Sequence, residues 1–342
     1  MGEHVPTHAS VKREIPGQLQ GMRSTIDAPP LPDAALARLG AALKAAGYRF
    51  TTVTPATHER VNRRPGNALG RSLTDVLGWS RPFHPGALPD EVVTLLDAAG
   101  ALRRDGDVWS SMIRVSSYDG ELFVHSAFPP DAPDAVFFGP DTHRTVDAAL
   151  AHLAGQAVVP ERIADVGTGS GAVAVAVAKR VPQAEVLAVD VNPTAVRYAR
   201  VNAALAGTAN VEARRSDLLA DVPGEFDLII SNPPFMIDPE CRAYRDGGGP
   251  HGHDLPMAVI GAAVHRLASG GSLVLFSGTG ITDGRDPLLA AAADRLSGTS
   301  LRWTYREVDP DVYSENLDGP AYAHAERIAL AVLTATRTQG DH

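Results

Sequence analysis

The segment ERIADVGTGSGAVAVAVAKR, residues 161–180, constrains this chain more than any other. A strand ends at Asp165, a tight turn carries Gly167, Gly169 and Gly171, and a helix follows at once. Glycines let the backbone approach a ligand closely, and the helix start offers free N–H groups and a partial positive charge. A strand running directly into a helix is also the building unit of a parallel sheet. From residue 141 onward the pattern keeps alternating. Strands are expected at Arg162–Val166, Glu185–Val189, Asn210–Ala213, Phe226–Ser231 and Ser272–Ser277, with Leu301–Val308 and Arg327–Leu333 closing the sheet. Helices are expected between them at Ala172–Lys179, Pro193–Leu205 and Asp254–Ala268. Such alternation predicts an α/β fold: a seven-stranded, doubly wound sheet with helices on both faces.

Ahead of this unit the pattern differs, and 342 residues leave room for two domains. Residues 1–25 show no apolar period and read as a flexible tail, ended by Ala28-Pro29-Pro30-Leu31-Pro32-Asp33. From the cap-like Asp33 a helix is expected, with Leu36, Leu39, Leu43 and Ala46 at helical spacing and Gly47 as its stop. A second helical stretch, Leu88–Leu102, leads into alternating residues on either side of Asp119-Gly120, which predict a β-hairpin. Residues 26–136 thus read as a small α+β, winged-helix-like domain for substrate recognition, and 137–336 as the sheet domain. The net charge of −9 argues against a generic polyanion binder, although residues 1–72 carry +5 and the remainder −14. No apolar run reaches membrane-spanning length, no signal peptide is evident, and the lone Cys241 fits a reducing, cytoplasmic setting.

The turn alone does not name a ligand, because with Ala172 it also satisfies the G-x-G-x-x-A form of a dinucleotide fingerprint. What separates the alternatives is Asn232-Pro233-Pro234-Phe235 at the end of a strand. Two prolines remove two N–H donors and hold the backbone extended, so the local carbonyls and the Asn232 amide become acceptors suited to a substrate N–H. Phe235 adds an aromatic face for a planar group. Together these motifs resemble the class I methyltransferases that use S-adenosylmethionine, specifically the N-P-P-[FY] subgroup acting on planar nitrogens. That subgroup includes release-factor glutamine and nucleobase N-methyltransferases, and the outline is similar to an actinobacterial two-domain type.

The resemblance implies a Rossmann-like domain binding S-adenosylmethionine. Asp165, Gly167, Gly169 and Gly171 would hold its methionine part, Asp190 its ribose hydroxyls and Asp217 its adenine amine. Thr142, Thr168, Val191, Leu218 and Asn232 would complete the cofactor set. Asn232, Pro233 and Phe235 are the implied catalytic residues, and Pro234, Phe235, Tyr244 and Arg245 would meet the substrate. Upstream, Gly139-Pro140-Asp141-Thr142 partly echoes the R-P-[DE]-T segment of the glutamine methyltransferases, with Gly139 in place of arginine and His143 in place of glutamate. The acceptor stays open among protein glutamine, nucleobase and small metabolite, and the oligomeric state is not legible. Alternatives are a tailoring enzyme methylating another atom, a non-catalytic nucleic-acid-binding sensor, and a dinucleotide-dependent oxidoreductase. His251, His253 and Asp254 lack a second cluster that would complete a metal site, and Asp254 is expected to cap the following helix. Glu315 reads as lid or ordinary loop.

Overall fold

The computed structural model describes residues 31–338. The tail read over residues 1–25 lies outside them. The front module contains helices α1 (Leu31–Ala45), α2 (Pro55–Asn62), α3 (Leu73–Leu77) and α4 (Asp90–Ala98). Two hairpins follow, β1 (Leu102–Asp105) with β2 (Val108–Ser111), and β3 (Ile113–Tyr118) with β4 (Glu121–Ser126). The alternating region then runs α5 (Pro140–Ala154), β5 (Arg162–Val166), α6 (Ala172–Arg180), β6 (Glu185–Asp190), α7 (Pro193–Ala206), β7 (Val211–Arg215) and β8 (Phe226–Ser231). It closes with α8 (Asp254–Arg266), β9 (Leu267–Ile281), α9 (Pro287–Leu296), β10 (Leu301–Asp309) and β11 (Arg327–Arg337). Among the described residues, no helix is long and apolar enough to cross a membrane.

The seven-stranded sheet has the order β10-β11-β9-β8-β5-β6-β7, and only β11 runs antiparallel to its neighbours. The fold is therefore the Rossmann-like, doubly wound α/β arrangement. Local chemistry sets its helix starts. Asn192 caps α7 by accepting from the Thr194 N–H at 2.9 Å, with Pro193 supplying a preset φ, and Asp286 caps α9 through the Leu289 N–H at 3.0 Å. Because the strands are covered on both faces, β5, β6, β8 and β9 are buried along most of their length, with apolar runs such as Val186–Val189 and Leu273–Phe276 at their centres.

One expectation for the front module changes, and one feature is added. The helix begins two residues before Asp33, whose carboxylate instead pairs with Arg197 on α7. The hairpin of the winged-helix-like reading packs on the sheet domain, because β4 lies along α7. Asn202, fully buried on α7, accepts from Val124 N–H at 2.8 Å and donates to the carbonyls of Val124 at 2.9 Å and Ser170 at 2.8 Å. One carboxamide thus ties the hairpin to the glycine turn. Ala195, Tyr198 and Val201 of α7 share a core with Leu36, Leu39 and Leu43 of α1, and Glu121 binds both Lys44 and Lys179.

Replacing Asn202 by alanine leaves the partners of three buried bonds unmet, so Asn202→Ala is expected to lower stability by about 2–4 kcal/mol. Urea midpoints at constant m-value measure it, and an unchanged midpoint would show that this amide does not weld the modules.

Candidate functional site

A cleft of about 400 Å³ opens over the C-terminal ends of β5, β6 and β8. Its floor is the glycine turn. Asp165 is buried beneath it, with Oδ2 accepting from Thr168 Oγ1 at 2.6 Å and from the Ala174 N–H at 3.1 Å. Burial pushes the Asp165 carboxyl up to about 7, against the pull of those two donors. Asp190, at the end of β6, takes the Gly169 N–H on Oδ2 at 3.0 Å and the Asn192 N–H on Oδ1 at 2.9 Å. Its carboxyl is likewise raised by burial. Both acids brace the turn from either side, and the Gly167 and Thr168 N–H groups donate to the Val189 carbonyl at 2.9 and 3.0 Å.

The far wall is the segment after β8. Ser231 Oγ donates to the Val166 carbonyl at 2.7 Å, which fixes the ends of the two central strands to each other. Asn232 follows, and its Oδ1 is buried with no hydrogen-bond partner. Pro233 is buried, Pro234 half-buried and Phe235 only 7% exposed. The ring of Phe235 is pressed against Gly278 and lies 6.4 Å from Tyr313, so it forms a wall instead of the open aromatic face expected of it. Open aromatic surface comes from Phe137 and Tyr244, stacked at 5.8 Å and 21°. The glycine-rich loop after Arg245 explains how this segment is held. Gly252, at φ +74°, passes so close beneath Phe235 that a Cβ there would stand 2.3 Å from the Phe235 carbonyl oxygen.

Of the residues named from sequence, Thr142, Asp165, Gly167, Thr168, Gly169, Asp190, Val191, Asp217 and Leu218 all line the cleft. So do Asn232, Pro233, Pro234, Phe235, Tyr244 and Arg245. Gly171 does not. It sits behind the turn at φ +79°, where a Cβ would come 2.8 Å from Ala199 Cα, so its smallness lets α6 and α7 approach. The Thr142 hydroxyl accepts from the Gly139 N–H at 3.2 Å, closing the first turn of α5. Glu315 is exposed and off the cleft. His253, not Asp254, is the cap residue of α8, and its imidazole is buried, with its pKa lowered to about 4 chiefly by that burial. Among the described residues, no three His, Cys, Asp or Glu side chains are placed to hold a metal ion.

Several lining residues carried no sequence signal. Pro55 and Glu59 of α2, and Phe128 to Asp131, bring the front module to the cleft edge. Asp134 pins this connecting segment to the start of α7, where Asn192 Nδ2 donates to its carbonyl at 2.9 Å. Asp141 is buried and accepts from the Tyr313 hydroxyl, 172 residues away in sequence. Only the fold could bring that pair together.

The methyltransferase small domain family matches residues 136–282. The release factor glutamine methyltransferase of Deinococcus radiodurans is 37% identical over 183 residues, 51% of this chain and 61% of that protein. The ribosomal protein L11 methyltransferase of Syntrophotalea carbinolica is 30% identical over 249 residues, 68% of this chain and 73% of that protein. Among solved structures, a ribosomal protein L11 methylase from Lactobacillus delbrueckii subsp. bulgaricus aligns with 25% identity and a TM-score of 0.39, over 58% of this chain and 80% of that one. Fold, glycine turn and the two sequence relatives place the sheet domain in the class I methyltransferase fold class. Within that class, the chain belongs to the methyltransferase small domain family. It spans about 61% of the length of the Deinococcus relative.

The raised carboxyl of Asp165 has a signed consequence. Between its ordinary 3.8 and about 7 the folded protein holds a proton that the unfolded chain releases, so this group's stabilising contribution is full below 3.8 and is lost as pH rises through 7. Asp165→Asn should lack that decline. Urea midpoints of both proteins at several pH values across this window measure it, and parallel pH profiles would show that Asp165 ionises normally.

Proposed function

We propose that this protein transfers a methyl group from S-adenosylmethionine to a planar nitrogen, an amide or exocyclic amine, leaving S-adenosylhomocysteine. The observation that carries the reading is the unpartnered acceptor of Asn232 in the same cleft as the braced glycine turn. A buried acceptor without a donor costs about 1–3 kcal/mol. A substrate N–H satisfies it.

The residues fit the cofactor. The N–H groups of Gly167, Thr168 and Gly169 are already taken, so the start of α6 is what suits a carboxylate; the turn glycines, which let a ligand approach the backbone closely, with Asp165, Thr168 and Thr142, are assigned the methionine end. Asp190 has lone pairs left for ribose hydroxyls, and Asp217, exposed at the cleft edge, is assigned the adenine amine. Val191 and Leu218 complete that end, while Gly171 acts through the packing of α6. When bound, S-adenosylmethionine supplies an electrophilic methyl carbon on a sulfonium.

The chain's own part is positioning. Asn232 Oδ1 accepts from the substrate N–H and so turns the nitrogen lone pair toward the methyl group; orientation of this kind can supply ~7–11 kcal/mol. As positive charge grows on nitrogen during attack, the same acceptor strengthens its hold. The proton leaves to water after transfer, because the methylated nitrogen is acidic. Pro233 and Phe235 stiffen the segment, and Pro234, Tyr244 and Arg245 meet the acceptor. Residues 26–136 select that acceptor through Pro55, Glu59 and Phe128 at the cleft edge. The names of the relatives point to protein acceptors, so a protein side-chain amide stands ahead of a nucleobase or small metabolite. A cytoplasmic setting accords with the lone Cys241.

Calorimetry should show binding of S-adenosylmethionine and none of the nicotinamide dinucleotides. Asp190→Ala should weaken that binding by roughly 10- to 100-fold, since charge-assisted hydrogen bonds are lost. Wild-type affinity in this variant would misplace the ribose. Asn232→Ala should keep cofactor affinity and lose ~10²–10³ in turnover, as removal of one preorganised partner does. An undiminished rate would remove the mechanism while leaving the cofactor assignment intact.

A further inference from the structure

Ten buried side-chain atoms among the described residues lack a hydrogen-bond partner, and only two belong to residues lining the cleft. They are of opposite sense. Asn232 Oδ1 can only accept, and Arg245 Nε can only donate. Both are shielded from solvent, so neither is compensated by bulk water.

Arg245 is held for this task. Its Nη2 donates to Asn316 Oδ1, and its backbone carbonyl accepts from the Met236 N–H at 3.0 Å. The nearest carboxylate to Nε, that of Asp238, lies 3.9 Å away, beyond hydrogen-bond range. Asp238 is already satisfied by Arg242, which reaches it at 2.7 and 2.6 Å. The loop carrying Asn316 starts at Tyr313, a bulky residue in the left-handed region with φ 54°. Such a backbone persists only where its surroundings over-determine it, and the hydroxyl bond from Tyr313 to the buried Asp141 does so here. A strained, anchored loop thus fixes the guanidinium whose one buried N–H has nothing to bind.

We propose that Arg245 recognises the methyl acceptor by donating from Nε to a lone pair adjacent to the nitrogen that Asn232 holds. This rests on the N-methyl transfer proposed above and narrows its substrate. The acceptor must present an N–H beside a carbonyl oxygen or ring nitrogen, as a primary carboxamide or the amino edge of a cytosine-like ring does. A simple alkyl amine has no such neighbouring lone pair. Donation to a carbonyl draws electron density away from the amide nitrogen, so Arg245 orients the acceptor without activating it. Its loss should raise KM more than it lowers kcat.

The test uses the full chain saturated with S-adenosylhomocysteine and labelled with ¹⁵N at arginine and asparagine. N-acetylglutaminamide, cytidine and butylamine are the probes. The Arg245 Nε–H resonance, assigned by its absence from Arg245→Lys, should shift together with the Asn232 side-chain amide when either conjugated probe is added. Butylamine should move neither. Arg245→Lys should weaken binding of the conjugated probes roughly 10- to 100-fold and leave S-adenosylhomocysteine affinity unchanged. A response of Asn232 without Arg245, an equal response to butylamine, or no response at probe saturation overturns the inference and leaves the methyl-transfer reading standing. Failure of S-adenosylhomocysteine to bind in calorimetry strikes that reading itself, and the inference with it. Arg245→Gln supplies the same assignment and the same affinity comparison if Arg245→Lys does not fold.

Discussion

The cleft exists because β5 and β8 are neighbours. The chain leaves β5 in one direction along the sheet, through β6 and β7, and returns to pair β8 on the other side. The helices on the two sides of that reversal diverge, and a crevice opens above the strand ends. The bond from Ser231 Oγ to the Val166 carbonyl locks those ends together in a fully buried setting, so the glycine turn and Asn232 inherit a fixed separation. Every other feature of the site is arranged on that pair. Asp165 and Asp190 brace the turn, and the prolines with Gly252 brace the opposite wall.

This rigidity comes at a cost in buried polar groups. Asp165 lies under the turn with its carboxyl raised, Tyr313 is held in an unfavourable backbone region, and Asn232 and Arg245 each keep an atom unmet. Buried polar groups are ordinarily paired. Asn232 and Arg245 are the two such residues that line the cleft, where a ligand can meet them, and a raised carboxyl beside them is a physical mark of a functional site.

The sheet and the turn were legible in the sequence because they rest on local pattern: apolar runs of strand length, caps such as Asn192 before Pro193, and glycines at fixed intervals. The strand order is not contained in the spacing and is seen only in the structure. The residues around Asn232 were found because prolines after a strand are rare enough to be informative. What escaped notice depends on distant pairs. Asp141 gives no hint of Tyr313, and nothing local in the hairpin of β3 and β4 names its partner, the amide of Asn202. Phe235 was read as a stacking face from its type, whereas its burial follows from the glycine at 278 on another strand.

The core that α7 shares with α1 bears on how such a protein can diversify. A helix of the sheet domain supplies Ala195, Tyr198 and Val201 to the interior of the front module, so exchanging that module for another would strip the apolar face of α7. New acceptor preferences are therefore easier to reach by changing the few residues that α2 and the connecting segment present to the cleft than by shuffling whole modules. The joint between the two halves is a packed interior, and evolution has to edit it one side chain at a time.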